Sequence, residues 1–145
     1  KTEHRIRDFI HVAMVEAFGP DYWTKAIPGD IQESVNERIA EALKKNPEQR
    51  KADLRVSRVM LTFCDVADYL KIISVKQNWV HFEPYLRRRS DVERHLEAFR
   101  DYRNHVAHGR PMPDLVRIGG EFALVWLQTV LPQEGNLRGE GVEEE

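Results

Sequence analysis

Apolar residues recur every three or four positions from Ile6 to Phe18 (Ile6, Phe9, Ile10, Ala13, Met14, Ala17, Phe18), and Gly19-Pro20 then stops the pattern. This spacing matches the helical turn and predicts a first helix over Thr2 to Phe18. Asp21 to Ile27, with Tyr22 and Trp23 between two prolines, reads as a short turn or helical piece that lays aromatics over the core. Asp30 with Glu33 three residues on has the form of a capping pair. Behind it Ile31, Val35, Ile39 and Leu43 carry a second helix to Asn46-Pro47. From Pro47 to Val75 the run Leu54, Val59, Met60, Phe63, Cys64, Ala67, Leu70 and Ile73 predicts one extended, bent helix through the centre of the molecule.

Residues 76–89, KQNWVHFEPYLRRR, show no clean period despite Trp79, Phe82 and Tyr85. They read as an ordered connection pinned by aromatics and ending in Arg87, Arg88 and Arg89. Ser90 with Glu93 has the form of a capping box opening the next helix. Its stripe is Val92, Leu96, Phe99, Tyr102 and Val106, and Gly109 and Pro111 end it. Asp114 reads as the cap of a last helix with Leu115, Ile118, Phe122, Val125, Trp126 and Val130. Gly119-Gly120 interrupts it, which permits a close helix contact or a bend. Nowhere does a sustained period of two appear. The expectation is therefore an all-α bundle of about four to six helices in one domain, residues 1–132, followed by an acidic, Gly-rich tail, 133–145, expected to be disordered.

Charge narrows the choice of partner only slightly. The 145 residues carry 22 Lys and Arg against 24 Asp and Glu, a net charge of −2, which excludes a polycation, so any nucleic-acid contact must come from a local patch. One cysteine, Cys64, can form neither an internal disulfide nor a Cys-based zinc site, which fits core packing, a reducing compartment and a cytoplasmic location. No apolar run reaches the roughly 20 residues of a membrane span, and the N-terminal stretch lacks the apolar centre of a signal peptide. No membrane partner is expected. The first residue is Lys1, which reads as a domain within a longer protein. P-loop, G-x-S-x-G and H-E-x-x-H patterns are absent, and the six histidines lack acidic or Cys partners at ligand spacing. Neither a metal nor another cofactor is expected.

The basic groups are concentrated. Arg87, Arg88, Arg89, Arg94, Arg100, Arg103 and Arg110 share one stretch with His81, His95, His105 and His108, which favours a local field for phosphates. Within it, FRDYRNHVAHGRPM (Phe99 to Met112) puts an arginine, an asparagine and two histidines at a helix end. At 100° per residue Asn104 and His108 lie about 40° apart and His105 and His108 about 60° apart, while Arg103 lies about 140° from His108, near the centre of the apolar stripe. One reading is structural: Arg103 pairs with Asp65 or Asp68, and His108 sits at a helix C-terminus that favours a cation. The other is chemical. An imidazole can move protons at a 2′-hydroxyl or a 5′-oxygen, a guanidinium can grip a phosphate through two hydrogen bonds, and an amide can orient either. These parts suffice for cleavage of RNA without a metal. The expected products are a 2′,3′-cyclic phosphate and a 5′-hydroxyl, and DNA is expected to be inert.

RNHVAH, Arg103 to His108, resembles the R-N-x-x-x-H motif of the HEPN superfamily. FCDVADYLKII (Phe63 to Ile73), NWVHFEPYL (Asn78 to Leu86) and YRNHVAHGRP (Tyr102 to Pro111) follow in the order found in one branch of that superfamily. That branch occurs at the carboxyl end of a eukaryotic mRNA-surveillance endonuclease and in bacterial multidomain proteins. The similarity runs from about Met60 to Leu127. The resemblance implies a metal-independent endoribonuclease acting as a homodimer through the motif-bearing helix, with Arg103, Asn104 and His108 catalytic. Arg87, Arg88, Arg89, His105 and Arg110 are the expected RNA-binding residues. Some HEPN domains keep the motif and serve instead as non-catalytic RNA-binding and dimerisation modules beside another catalytic domain.

Overall fold

The computed structural model describes residues 2–49 and 51–132, so the expected tail 133–145 lies outside the described residues. The chain forms α1 (Thr2–Phe18), α2 (Tyr22–Ala26), α3 (Gly29–Lys45), a 3-10 turn (Lys51–Leu54), α4 (Ser57–Leu61), α5 (Val66–Ser74), α6 (Lys76–Leu86), α7 (Arg89–His108) and α8 (Asp114–Val130). The class is all-α. The apolar stripes read from the sequence converge on one core, with Ile6, Phe9, Ile10 and Met14 of α1 meeting Tyr69 and Ile72 of α5, Phe82 of α6 and Leu96 of α7. Cys64 is buried there as expected, and burial pushes its thiol pKa up to about 12, so it remains protonated at neutral pH.

Segmentation is finer than the sequence suggests. The single helix expected over 47–75 is replaced by the 3-10 turn, α4 and α5, with the chain breaking at Thr62–Asp65. The cause is local. Asp65 accepts a hydrogen bond from the Asp68 N–H (2.9 Å) and Asp68 accepts one from the Asp65 N–H (3.0 Å), a reciprocal cap that opens α5 afresh. Residues 76–86, expected as an irregular connection, are instead the helix α6. Trp79, Phe82 and Leu86 bury one face of it, and Pro84 sits in the last turns, where the bond it forfeits is to Val80 on the exposed side. Asn78, fully buried, donates to the carbonyls of Ala26 (3.0 Å) and Ile72 (2.8 Å), tying α6 to α2 and α5.

The capping residues also differ from expectation. Pro28, Arg88 and Pro113 precede α3, α7 and α8 without side-chain caps, so Asp30, Ser90 and Asp114 lie inside first turns. There an acidic residue still meets the positive end of the helix dipole. Gly119-Gly120 does not interrupt α8. Gly120 lies so close to Tyr102 of α7 that a Cβ would overlap its Cβ, Cγ and Cδ1 atoms. The glycine is required for the close α7–α8 contact.

Two histidines tie this core to pH. His11 lies 2.8 Å from the Tyr22 hydroxyl, and His95, only 3% exposed, stacks on Trp126 of α8 at 4.6 Å. Burial holds both pKa values below the usual 6.5, with Arg58 adding to the effect on His11 and Arg94 on His95. Because the folded values lie below the unfolded ones, stability is complete above pH 6.5 and is lost as the pH falls through the folded values. Thermal melts should show a plateau above pH 6.5 and a falling melting temperature below it, with a smaller fall in His95→Gln. A melting temperature that rises on acidification would contradict this.

Candidate active site

α7 ends where Gly109 adopts φ 62°, and the N–H groups of Gly109 and Arg110 close back onto the carbonyls of Val106 (3.3 Å) and His105 (3.1 Å). This termination sets Arg103, Asn104, His105 and His108 in the last two turns of a helix whose end projects past the core. Arg103 and His108 are exposed, and Asn104 and His105 are half-buried.

Arg103 is engaged, but not by the carboxylates anticipated. Its Nε lies 2.5 Å from Oε2 of Glu3 in the first turn of α1. Asp68 instead meets Arg38 (2.9 Å), which also donates to the Phe63 carbonyl (2.6 Å). The alternative pairing with Asp65 or Asp68 is therefore corrected. Arg103 points from α7 towards α1 because it shares the face of the apolar stripe. His108, about 140° round the helix, points away. Among the described residues, neither Asn104 nor His108 has a side-chain hydrogen bond or ion pair. His105 Nδ1 lies 2.9 Å from the backbone oxygen of Asp101. A carbonyl only accepts, so Nδ1 carries the proton and a neutral His105 leaves Nε2 as its open lone pair.

The arginines do not gather around this end. Arg89 lies fourteen residues before Arg103 and nineteen before His108, about 21 and 28 Å along α7 at 1.5 Å per residue. Arg89 donates to the Ser74 carbonyl (3.0 Å) and lies over the Trp79 ring at 5.8 Å, which anchors the start of α7 to α5 and α6. Arg94 pairs with Asp91. Arg87, Arg88, Arg100 and Arg110 have no side-chain partner among the described residues. The basic stretch is thus divided between the two ends of α7, and only Arg103 and Arg110 flank His108.

Arg87 is strained. Its φ of 71° and ψ of −58°, with the Arg88 N–H bonded to the Leu86 carbonyl at 2.8 Å, form a γ-turn of the unfavourable hand. Arg87→Gly should raise stability by up to about 1 kcal/mol, because glycine adopts positive φ without a Cβ clash. Chemical denaturation would detect this as a higher midpoint, and a lower midpoint would contradict it.

α8 presents a second feature beside the motif. Leu115, Ile118, Phe122 and Val125 are 84%, 53%, 60% and 58% exposed. They lie about 150° round the helix from the core-facing Gly120, Ala123 and Leu127, and the polar Asp114, Arg117, Glu121 and Gln128 occupy an arc of only about 60°. A helix apolar around most of its circumference is suited to burial on both sides. Val106 of α7 is also exposed. Between α1, α7 and α8, a groove of about 310 Å³ lined by Glu3, Phe99, Tyr102, Arg103, Val106 and Leu124 opens onto the motif.

Among the described residues no group of three His, Cys, Asp or Glu side chains is placed to hold a metal ion, and no helix is long and apolar enough to cross a membrane. Comparisons with protein-family models, curated proteins and solved structures find no match to the chain. Fold and site together define an all-α bundle whose α7 carries Arg103, Asn104 and His108 in its last two turns.

Proposed function

We propose that the chain is a HEPN-type, metal-independent endoribonuclease domain of a larger cytoplasmic protein, active as a homodimer. The observation that carries this reading is the placement of Arg103, Asn104 and His108 on the solvent-facing end of α7, beside an apolar arc of α8 that the described residues leave uncovered. A second copy packed on that arc removes the apolar patch from water, which is the main driving force for association. It also supplies what one chain lacks. Arg103 and His108 diverge by about 140° within a protomer, so a cleft that uses both takes them from two copies.

In that cleft the 2′-oxygen attacks phosphorus and the bond from phosphorus to the 5′-oxygen breaks. One His108 accepts the 2′-hydroxyl proton, and the partner's His108 donates a proton to the leaving 5′-oxygen. Arg103 balances charge on the phosphorus centre, Asn104 orients the phosphate, and His105 and Arg110 bind the adjoining backbone. Arg87, Arg88 and Arg89, at the far end of α7, bind RNA several nucleotides away. An RNA carrying 2′-deoxyribose at the cleaved nucleotide should remain intact, and its cleavage would sink the reading.

The pairing of Arg103 with Glu3 favours a second reading, a non-catalytic RNA-binding and dimerisation module. It predicts RNA binding without cleavage, with affinity insensitive to His108→Ala. Dimerisation has its own test. Replacing both Ile118 and Phe122 by Asp should shift the mass in solution to that of a monomer and abolish cleavage while preserving the helical circular-dichroism spectrum. A dimer that survives both substitutions would exclude the α8 arc as its interface.

A further inference from the structure

Among the described residues Glu3 is the acidic group in contact with the motif arginine, and it comes from the opposite end of the chain. A carboxylate against a phosphate-binding guanidinium can act in two ways. It can plug the guanidinium, occupying the place a phosphate would take, or it can stand behind it and hold its plane. The geometry separates the two. The Glu3 side chain is 23% exposed and that of Arg103 48%, so the carboxylate is the inner partner and the guanidinium the outer one. The contact runs to Nε, the nitrogen on the stem side, beyond which the two terminal nitrogens carry the paired donors that suit a phosphate. Glu3 is itself fixed in the first turn of α1, whose Ile6, Phe9 and Ile10 are anchored in the core. The rigid body of α1 therefore sets the position of the carboxylate.

We propose that Glu3 is a positioning residue for Arg103, holding the guanidinium at the mouth of the groove between α1, α7 and α8 so that its terminal nitrogens face the phosphate of bound RNA. This rests on the nuclease reading above for its catalytic consequence, but not for the contact itself. It gives α1 a direct part in the site, although the motif lies wholly on α7. Glu3 takes no part in bond making. Removing its charge frees the guanidinium to rotate, and misplacing a group that acts in the transition state lowers kcat more than it raises KM.

The test has two readouts. In isotope-labelled protein, the Arg103 Nε–H resonance, assigned by its loss in Arg103→Lys, should be sharp and slow to exchange. In Glu3→Gln it should shift and broaden while the backbone spectrum and melting temperature stay close to wild type. With short RNA, Glu3→Gln should lower kcat about tenfold or more with KM little changed. Glu3→Asp, whose carboxylate is withdrawn by one methylene, should fall between. An Arg103 resonance unaffected by Glu3→Gln would overturn the contact, and an unchanged kcat would overturn its role. Faster cleavage by Glu3→Gln would make Glu3 a plug. If wild type cleaves no RNA but the resonance responds, the nuclease reading and the catalytic part of the inference fail, and the positioning of the guanidinium stands.

Discussion

His108→Ala should lower the rate of RNA cleavage by about 10²- to 10⁴-fold, the usual contribution of a positioned general acid or base. The melting temperature should not move with it. His108 is exposed and has no side-chain partner among the described residues, so its truncation falls in the class of surface changes worth within about 0.5 kcal/mol. Arg103→Ala should behave in the same way. A buried ion pair loses about 3 to 5 kcal/mol when one member is removed, but Arg103 is 48% exposed and its pair with Glu3 belongs with surface pairs worth about 1 kcal/mol or less. A large fall in melting temperature for either variant would return the motif to a structural role. Loss of cleavage in stable protein separates chemistry from folding.

Neighbouring glycines of α8 should respond with opposite sign. Ala exceeds Gly in helix interiors by about 1 kcal/mol, so Gly119→Ala, whose Cβ would meet Ala98 Cβ at an ordinary 3.7 Å, should stabilise by up to that amount. At Gly120 the same gain is overwhelmed. The new Cβ would overlap the Cβ and Cγ atoms of Tyr102, which cannot swing aside as a chain end could, so α7 and α8 must separate. Overpacking of this kind costs about 1 to 3 kcal/mol, and Gly120→Ala should lower the unfolding free energy measured in denaturant despite its better propensity. A stabilised Gly120→Ala would show that the close helix contact is absent. Because Tyr102 adjoins Arg103, the same variant should also impair cleavage.

The long helices α1, α3, α7 and α8 were legible because their apolar spacing is regular and their ends are marked by glycine, proline or asparagine. The break before α5 carries neither glycine nor proline. Its signal was the Asp65–Asp68 pair, a capping box hidden inside an apolar run that otherwise favours continuity. α6 was hidden for the opposite reason, since Pro84 signals a stop yet sits where its missing bond is tolerated. In α8 the apolar spacing marks a helix, but whether that helix buries one face or two depends on what packs against it. Leu115, Ile118, Phe122 and Val125 lie opposite the core face, a distribution that helical angles alone could have exposed.

At the site, the divergence of Arg103 and His108 followed from the helical period alone and persists in the structure. The spread of the arginines along α7 was equally a matter of rise per residue. Glu3 was not legible, because nothing in the spacing of α1 distinguishes a carboxylate that meets α7 from one that faces solvent. Only the approach of the first turn of α1 to Arg103 reveals it.

Metal-independent cleavage by attack of the 2′-hydroxyl is reported directly by the ends of its products. End-labelled RNA incubated with the purified protein in excess EDTA should yield fragments ending in 2′,3′-cyclic phosphate and 5′-hydroxyl. Fragments ending in 3′-hydroxyl and 5′-phosphate, or no cleavage until a divalent ion is added, would contradict it.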